Sequence, residues 1–169
     1  MPDKSTIKRA RRDARQGKSA STQAGEFVRE EMHHIRSGKH GARSTKQAIA
    51  IGLSKARRAG VPLRAPKRGT STATRTKAAR DRTRGRTGQA RKPSPTRSRA
   101  TRRALRREPH GAASHSALAR QARSTARKRG HRQLAAAARK AVRTKGRTGR
   151  SAAARKAART RRMKRARRG

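Results

Sequence analysis

STKQAIAIGLSKARRAG, residues 44–60, is the stretch whose reading decides the fold of this chain. Ser44 followed by Gln47 matches the capping box S-x-x-Q, in which two side chains satisfy orphan N–H groups at a helix start. Ala48, Ile49, Gly52, Leu53 and Ala56 then recur at helical spacing on one face. Lys55, Arg57 and Arg58 stand near the end, where the helix dipole favours cations. Gly60 supplies a stop and Pro62 bars continuation. Ile49, Ile51 and Leu53 also alternate at period two, as a strand would. The cap, the alanine content and the Gly-then-Pro stop favour the helix. On that helix Ile51 points away from the apolar face, either as an exposed side chain or as an intermolecular contact.

Just upstream, GEFVREEMHHIRSG (25–38) reads as a second helix. At 100° per residue Phe27, Val28, Met32 and Ile35 share an arc that also holds Glu31, with Arg29, Glu30 and His33 opposite. Gly38 suits the residue just past the helix end. The two helices define a helix–loop–helix hairpin over 22–62, with a core of Phe27, Val28, Met32, Ile35, Ile49 and Leu53. A unit of about 40 residues lies near the lower limit for folding alone. A homodimer, or bound nucleic acid, is therefore expected to complete it.

The rest of the chain has little to build a core from. Of 169 residues, 53 are Lys or Arg and 7 are Asp or Glu, a formal net charge of +46. Only 16 residues are Val, Ile, Leu, Met or Phe, and 11 of them precede residue 64. Burying apolar surface contributes roughly 25 cal/mol per Å², whereas ordering a residue costs about 1–2 kcal/mol. The expected fold class is thus mostly disordered with a small all-α hairpin. The expected organisation is a disordered basic arm at 1–21, the hairpin at 22–62, a disordered basic linker at 63–113 and an Ala/Arg-rich tail at 114–169. Within the tail, 133–146 and 151–168 have high helix propensity opposed by Arg–Arg repulsion, so helices induced by phosphates are expected there. AAARKAVRT (136–144) recurs as AAARKAART (152–160), a shift of 16 that also superimposes Gly130 on Gly146. Compositional drift is the competing explanation of that repeat.

Several chemistries are disfavoured. There is no cysteine, which removes thiolate metal sites and fits a reducing compartment. No apolar run approaches the ~20 residues of a membrane span, and no signal-peptide pattern opens the chain. A cytoplasmic, nucleoid location follows as the expectation. Glu31-x-x-His34 has a spacing used in metal-binding bundles, but His33, His34 and His40 lack cysteine or further carboxylate partners. They are expected to be exposed on a surface helix, with no metal and no cofactor. No nucleophile–base motif or phosphate-binding loop occurs, so no enzyme activity is expected.

Polyanion binding is the strong signal. Residues 64–169 hold 38 Lys and Arg against Asp81 and Glu108, a net charge of +36. Guanidinium groups fork phosphate oxygens and enter narrow minor grooves. The candidate contacts are Lys55, Arg57 and Arg58 on the hairpin and Arg102, Arg103, Arg106, Arg107, Arg139, Lys140, Arg155, Lys156, Arg161, Arg162, Arg165, Arg167 and Arg168 beyond it. Phe27 is the one aromatic among Phe, Tyr and Trp, so bases cannot be stacked along a single strand. That favours duplex DNA over RNA. An RNA- or ribosome-associated protein, or a protein-partner module tethered by its tail, are the alternatives. A membrane surface would need Leu, Phe or Trp opposite the basic face, where this chain has alanine.

Two resemblances follow from these residues. Segment 25–61 resembles a module of short basic bacterial proteins of uncharacterised function, with the pattern S-x-K-Q-A-I-A-I-x-L-S-x-A-R. Ser44, Lys46, Gln47, Ala48, Ile49, Ala50, Ile51, Leu53, Ser54, Ala56 and Arg57 match it. The tail is similar to the Ala/Arg/Lys-rich tails of bacterial linker-histone-like proteins, although it uses Arg more than Lys. The first resemblance implies no established activity.

Overall fold

Ser44 does cap a helix: its hydroxyl accepts from the Gln47 N–H at 3.2 Å. Gln47 Oε1 in turn accepts from the Arg43 N–H at 2.7 Å, one residue before the position a capping box prescribes. The computed structural model describes residues 2–66, 69–88 and 94–166. They form α1 (Lys4–Arg15), α2 (Ala20–Arg36), α3 (Thr45–Arg58), α4 (Thr72–Thr87), α5 (Pro95–Arg107), a 3₁₀ turn (His110–Ala113) and α6 (His115–Ala166). The chain divides into two compact units, Met1–Gln121 and Ala122–Gly169.

In the first unit α2 packs against both α1 and α3, and α4 covers α3. α2 starts at Ala20, five residues ahead of the stretch read as a helix, because Ser19 caps it by accepting from the Thr22 N–H. One apolar cluster joins Ala10 of α1, Ala24 and Phe27 of α2, Ala56 of α3 and Val61, with Ile7, Leu53 and Leu63 at its edge. A second joins Met32 and Ile35 of α2, Ala42, Ala48 of α3 and Ala113, with Val28, Ile49 and Leu118 at its edge. The buried stripe of α3 is Ala48, Gly52 and Ala56, while Ile49, Ile51 and Leu53 are half-buried. Gly52 sets the helix spacing: a Cβ there would lie 2.8 Å from the Val28 Cα.

The expectation of a mostly disordered chain is overturned. Helices α1, α4 and α5 occupy stretches assigned to a disordered arm and linker, and α6 fills the tail. Counting large apolar residues missed the way this core is built. Seven of the eleven buried apolar residues among those described are alanines. Alanine loses no side-chain entropy on burial and lets helix backbones approach closely, so dispersion contacts accumulate without bulky side chains. The linker contributes directly: Gly41 N–H donates to the Leu105 carbonyl at 2.8 Å and Ala42 N–H to the Pro109 carbonyl at 3.0 Å. The Thr45 hydroxyl donates to the Ala112 carbonyl at 2.7 Å, and Arg36 Nε to the Ala113 carbonyl at 2.8 Å. The hairpin's apolar faces are thereby covered by its own chain, which removes the physical reason for expecting a dimer to complete it.

The second unit is built differently. No described residue from 122 to 166 is buried. The helical run of α6 is interrupted at Gly130 (φ 69°, ψ 163°) and Gly146 (φ 62°, ψ −175°), backbone conformations in which other residues are strained. These are the two glycines placed in register by the 16-residue repeat. The register extends one copy upstream: His115, Leu118, Arg123 and Arg127 stand 16 residues before His131, Leu134, Arg139 and Arg143.

Candidate functional site

With so few acids, their placement organises the charge of the whole molecule. Asp13 meets Lys18 at 2.7 Å, and Glu26 meets Arg9 at 2.6 Å and Arg29 at 3.2 Å. Glu30 and Glu31 meet Lys55 at 3.1 and 2.7 Å, and Asp81 lies 3.7 Å from Arg58. All of these pairs lie in the first unit. Lys55 was expected on the basic surface; its side chain is instead only 13% exposed and held between two carboxylates. Burial by itself disfavours the ammonium, and the Glu30 and Glu31 carboxylates that α2 presents to Lys55 of α3 offset that cost. Arg57 is half-buried, and Arg58 is exposed with its Nε donating to the Ser54 carbonyl.

The remaining candidate contacts face solvent. Arg102, Arg103, Arg106 and Arg107 are exposed on α5, a helix with no buried residue. Arg99, Arg102, Arg103 and Arg106 fall within an arc of about 100° of it. Arg139, Lys140, Arg155, Lys156, Arg161, Arg162 and Arg165 are exposed on α6. Arg167 and Arg168 lie outside the described residues. Among the described residues no ion pair involves an arginine of α5 or α6. On α6 a shallow groove is lined by Ala136, Arg139, Lys140, Arg143 and Thr144. Arg139 and Arg143 stand one helical turn apart along it.

A second constellation sits inside the first unit, at the end of α2. Glu31 is fully buried, Glu30 and His34 are buried, and the His40 side chain is 18% exposed. His33 alone of these groups projects to solvent. The expectation of exposed His and Glu residues on a surface helix is therefore corrected: α1 covers one side of α2, and the loop after it folds His40 back over the other. Glu31 Oε1 lies 3.3 Å from His40 Nε2, and Asp3 Oδ2 lies 3.3 Å from His34 Nε2. Burial pushes the Glu30 carboxyl up. Hydrogen bonds from Thr6, from the Asp3 N–H and from Lys55, with the Lys55 charge, outweigh burial and hold it below the usual carboxylate range. Asp3 and Thr6 were missed in the sequence because they come from a stretch read as a disordered arm. His40 was noted, but its return depends on carbonyls more than 60 residues away.

A model of a family of unknown function (DUF6496) matches residues 15–69. The matched segment contains all of α2 and α3, and with them Glu30, Glu31, His34, His40 and Lys55. It also contains the 25–61 stretch whose pattern resembles an uncharacterised family. No curated protein and no solved structure matches the chain.

Proposed function

We propose that this protein is a non-enzymatic, nucleoid-associated DNA-binding protein that neutralises duplex phosphates with little sequence preference. The observation that carries this reading is the run of solvent-facing arginines on α5 and α6 with no acid paired to any of them among the described residues. Guanidinium groups with no acid partner keep most of their donors for phosphate oxygens, and each phosphate engaged releases counterions. Gly130 and Gly146 divide α6 (His115–Ala166) into three shorter segments, about 22–30 Å long, able to follow a curved backbone segment by segment. Phe27 is 0% exposed, which leaves no Phe, Tyr or Trp to stack on unpaired bases. That supports duplex over single-stranded targets.

The test is a titration of the full chain with mixed-sequence duplex DNA at several salt concentrations. With about ten phosphate contacts, log K against log[salt] should fall with a slope near −9. A salt-insensitive affinity would contradict the proposal. Release of the protein from a lysate by RNase but not DNase would transfer the same chemistry to RNA.

A further inference from the structure

The constellation at the end of α2 is not used by the reading above, and its chemistry points elsewhere. Glu31, His34 and His40 each offer a ligand atom within 4.8 Å of the others, and Asp3, Glu30 and His34 do the same on the adjoining side. We propose that Glu31, His34 and His40 bind a divalent transition-metal ion, with Zn²⁺ the best match to two imidazoles and one carboxylate.

Three features argue for a cation there. The first is the orientation of His40. Its Nδ1 lies 3.1 Å from the Gly41 carbonyl, an acceptor only, so Nδ1 carries the proton and donates it. Nε2 then faces Glu31 Oε1, 3.3 Å away, the two atoms an ion would bridge. A backbone carbonyl that fixes the far nitrogen is the usual support for a metal-binding histidine. The distance fits as well: a tetrahedral ion with bonds of about 2.0–2.1 Å sets its ligand atoms about 3.3 Å apart.

The second feature is Glu31. It is fully buried, yet neither carboxylate oxygen receives a hydrogen bond. Lys55 stands at 2.7 Å from Oε2 as an ion pair and leaves Oε1 to the histidines. A buried carboxylate short of donors is costly, and a metal on Oε1 removes that cost. The third feature is charge. Three carboxylates, those of Asp3, Glu30 and Glu31, gather around the one ammonium of Lys55, a setting that favours a cation. The three ligands leave one coordination position for water, and the ion would tie the end of α2 to the loop that carries His40.

The experiment uses the full chain after removal of metal with a chelator. Zn²⁺ is titrated in by calorimetry, and Co²⁺ in parallel by visible absorption. One saturable equivalent is expected, with the intense d–d bands of four-coordinate Co²⁺. His40→Ala should weaken Zn²⁺ affinity about 100-fold or more, since losing even an orienting partner costs 10–100-fold. His131→Ala, on α6, should leave it unchanged. Absence of a saturable site on the unmutated chain would overturn the proposal, as would octahedral Co²⁺ spectra or equal affinity in His40→Ala. None of these readouts involves nucleic acid, so failure here and failure of the DNA-binding proposal are separable.

Discussion

The two units of this chain draw on the same alphabet, alanine and arginine, to opposite ends. In the first unit, α5 apart, alanines are sealed between helices and several basic side chains meet carboxylates across them. In the second, alanines line exposed helices and, among the described residues, arginines meet no acid. The difference lies in a few residues of other types. Five of the seven acids fall before residue 32, and the last, Glu108, precedes the second unit. Where acids are available, Arg–Arg repulsion is relieved inside the fold and small residues can pack. Where they stop, tertiary packing stops, and relief must come from outside the chain.

The contrast can be broken most severely at Lys55. Lys55→Met leaves Glu30 and Glu31 buried without their cation and should destabilise the first unit by about 3–5 kcal/mol. Urea unfolding would measure it, and a loss below about 1 kcal/mol would mean that the buried pair organises little. Next in size is the packing of α2 on α3. Gly52→Ala places a Cβ against the Val28 backbone and should cost about 1–3 kcal/mol despite alanine's better helix propensity. Gly25→Ala sharpens that reading, because a Cβ there meets nothing within 4 Å and α2 should gain about 0.5–1 kcal/mol. If both substitutions shift stability in the same direction, close helix approach is not what Gly52 provides. Smallest is the effect of two charges among many. Arg139→Gln with Arg143→Gln should leave unfolding unchanged and reduce the salt slope of DNA binding by about 2, since each phosphate contact contributes roughly 0.9.

How much of this was legible in the sequence differs between the same regions. The Ser44 cap and the positive-φ glycines Gly38 and Gly60 at the ends of α2 and α3 were readable, because capping depends on residues only a few positions apart. The 16-residue repeat put Gly130 and Gly146 in register but did not by itself mark them as helix interruptions. The burial of Glu30, His34 and Lys55 was not readable. Helical periodicity assigns one apolar face, whereas α2 is covered by α1 and α3 on different sides and by the 3₁₀ turn at its end. Ala113 and Leu118 enter the core from beyond the linker, and nothing local marks an alanine as buried rather than exposed. Asp3 and Thr6 reach Glu30 only once α1 is docked. The candidate metal ligands were therefore visible as residue types but not as neighbours.

Amide hydrogen exchange on the full chain, with and without duplex DNA, tests the division most directly. The account predicts slow exchange in α2 and α3 in both conditions. It predicts fast exchange across residues 122–166 in the free protein, where no buried contact protects the helix, and marked slowing there when DNA is added. Equal protection of 122–166 and of α2 without DNA, or no change on adding DNA, would contradict it.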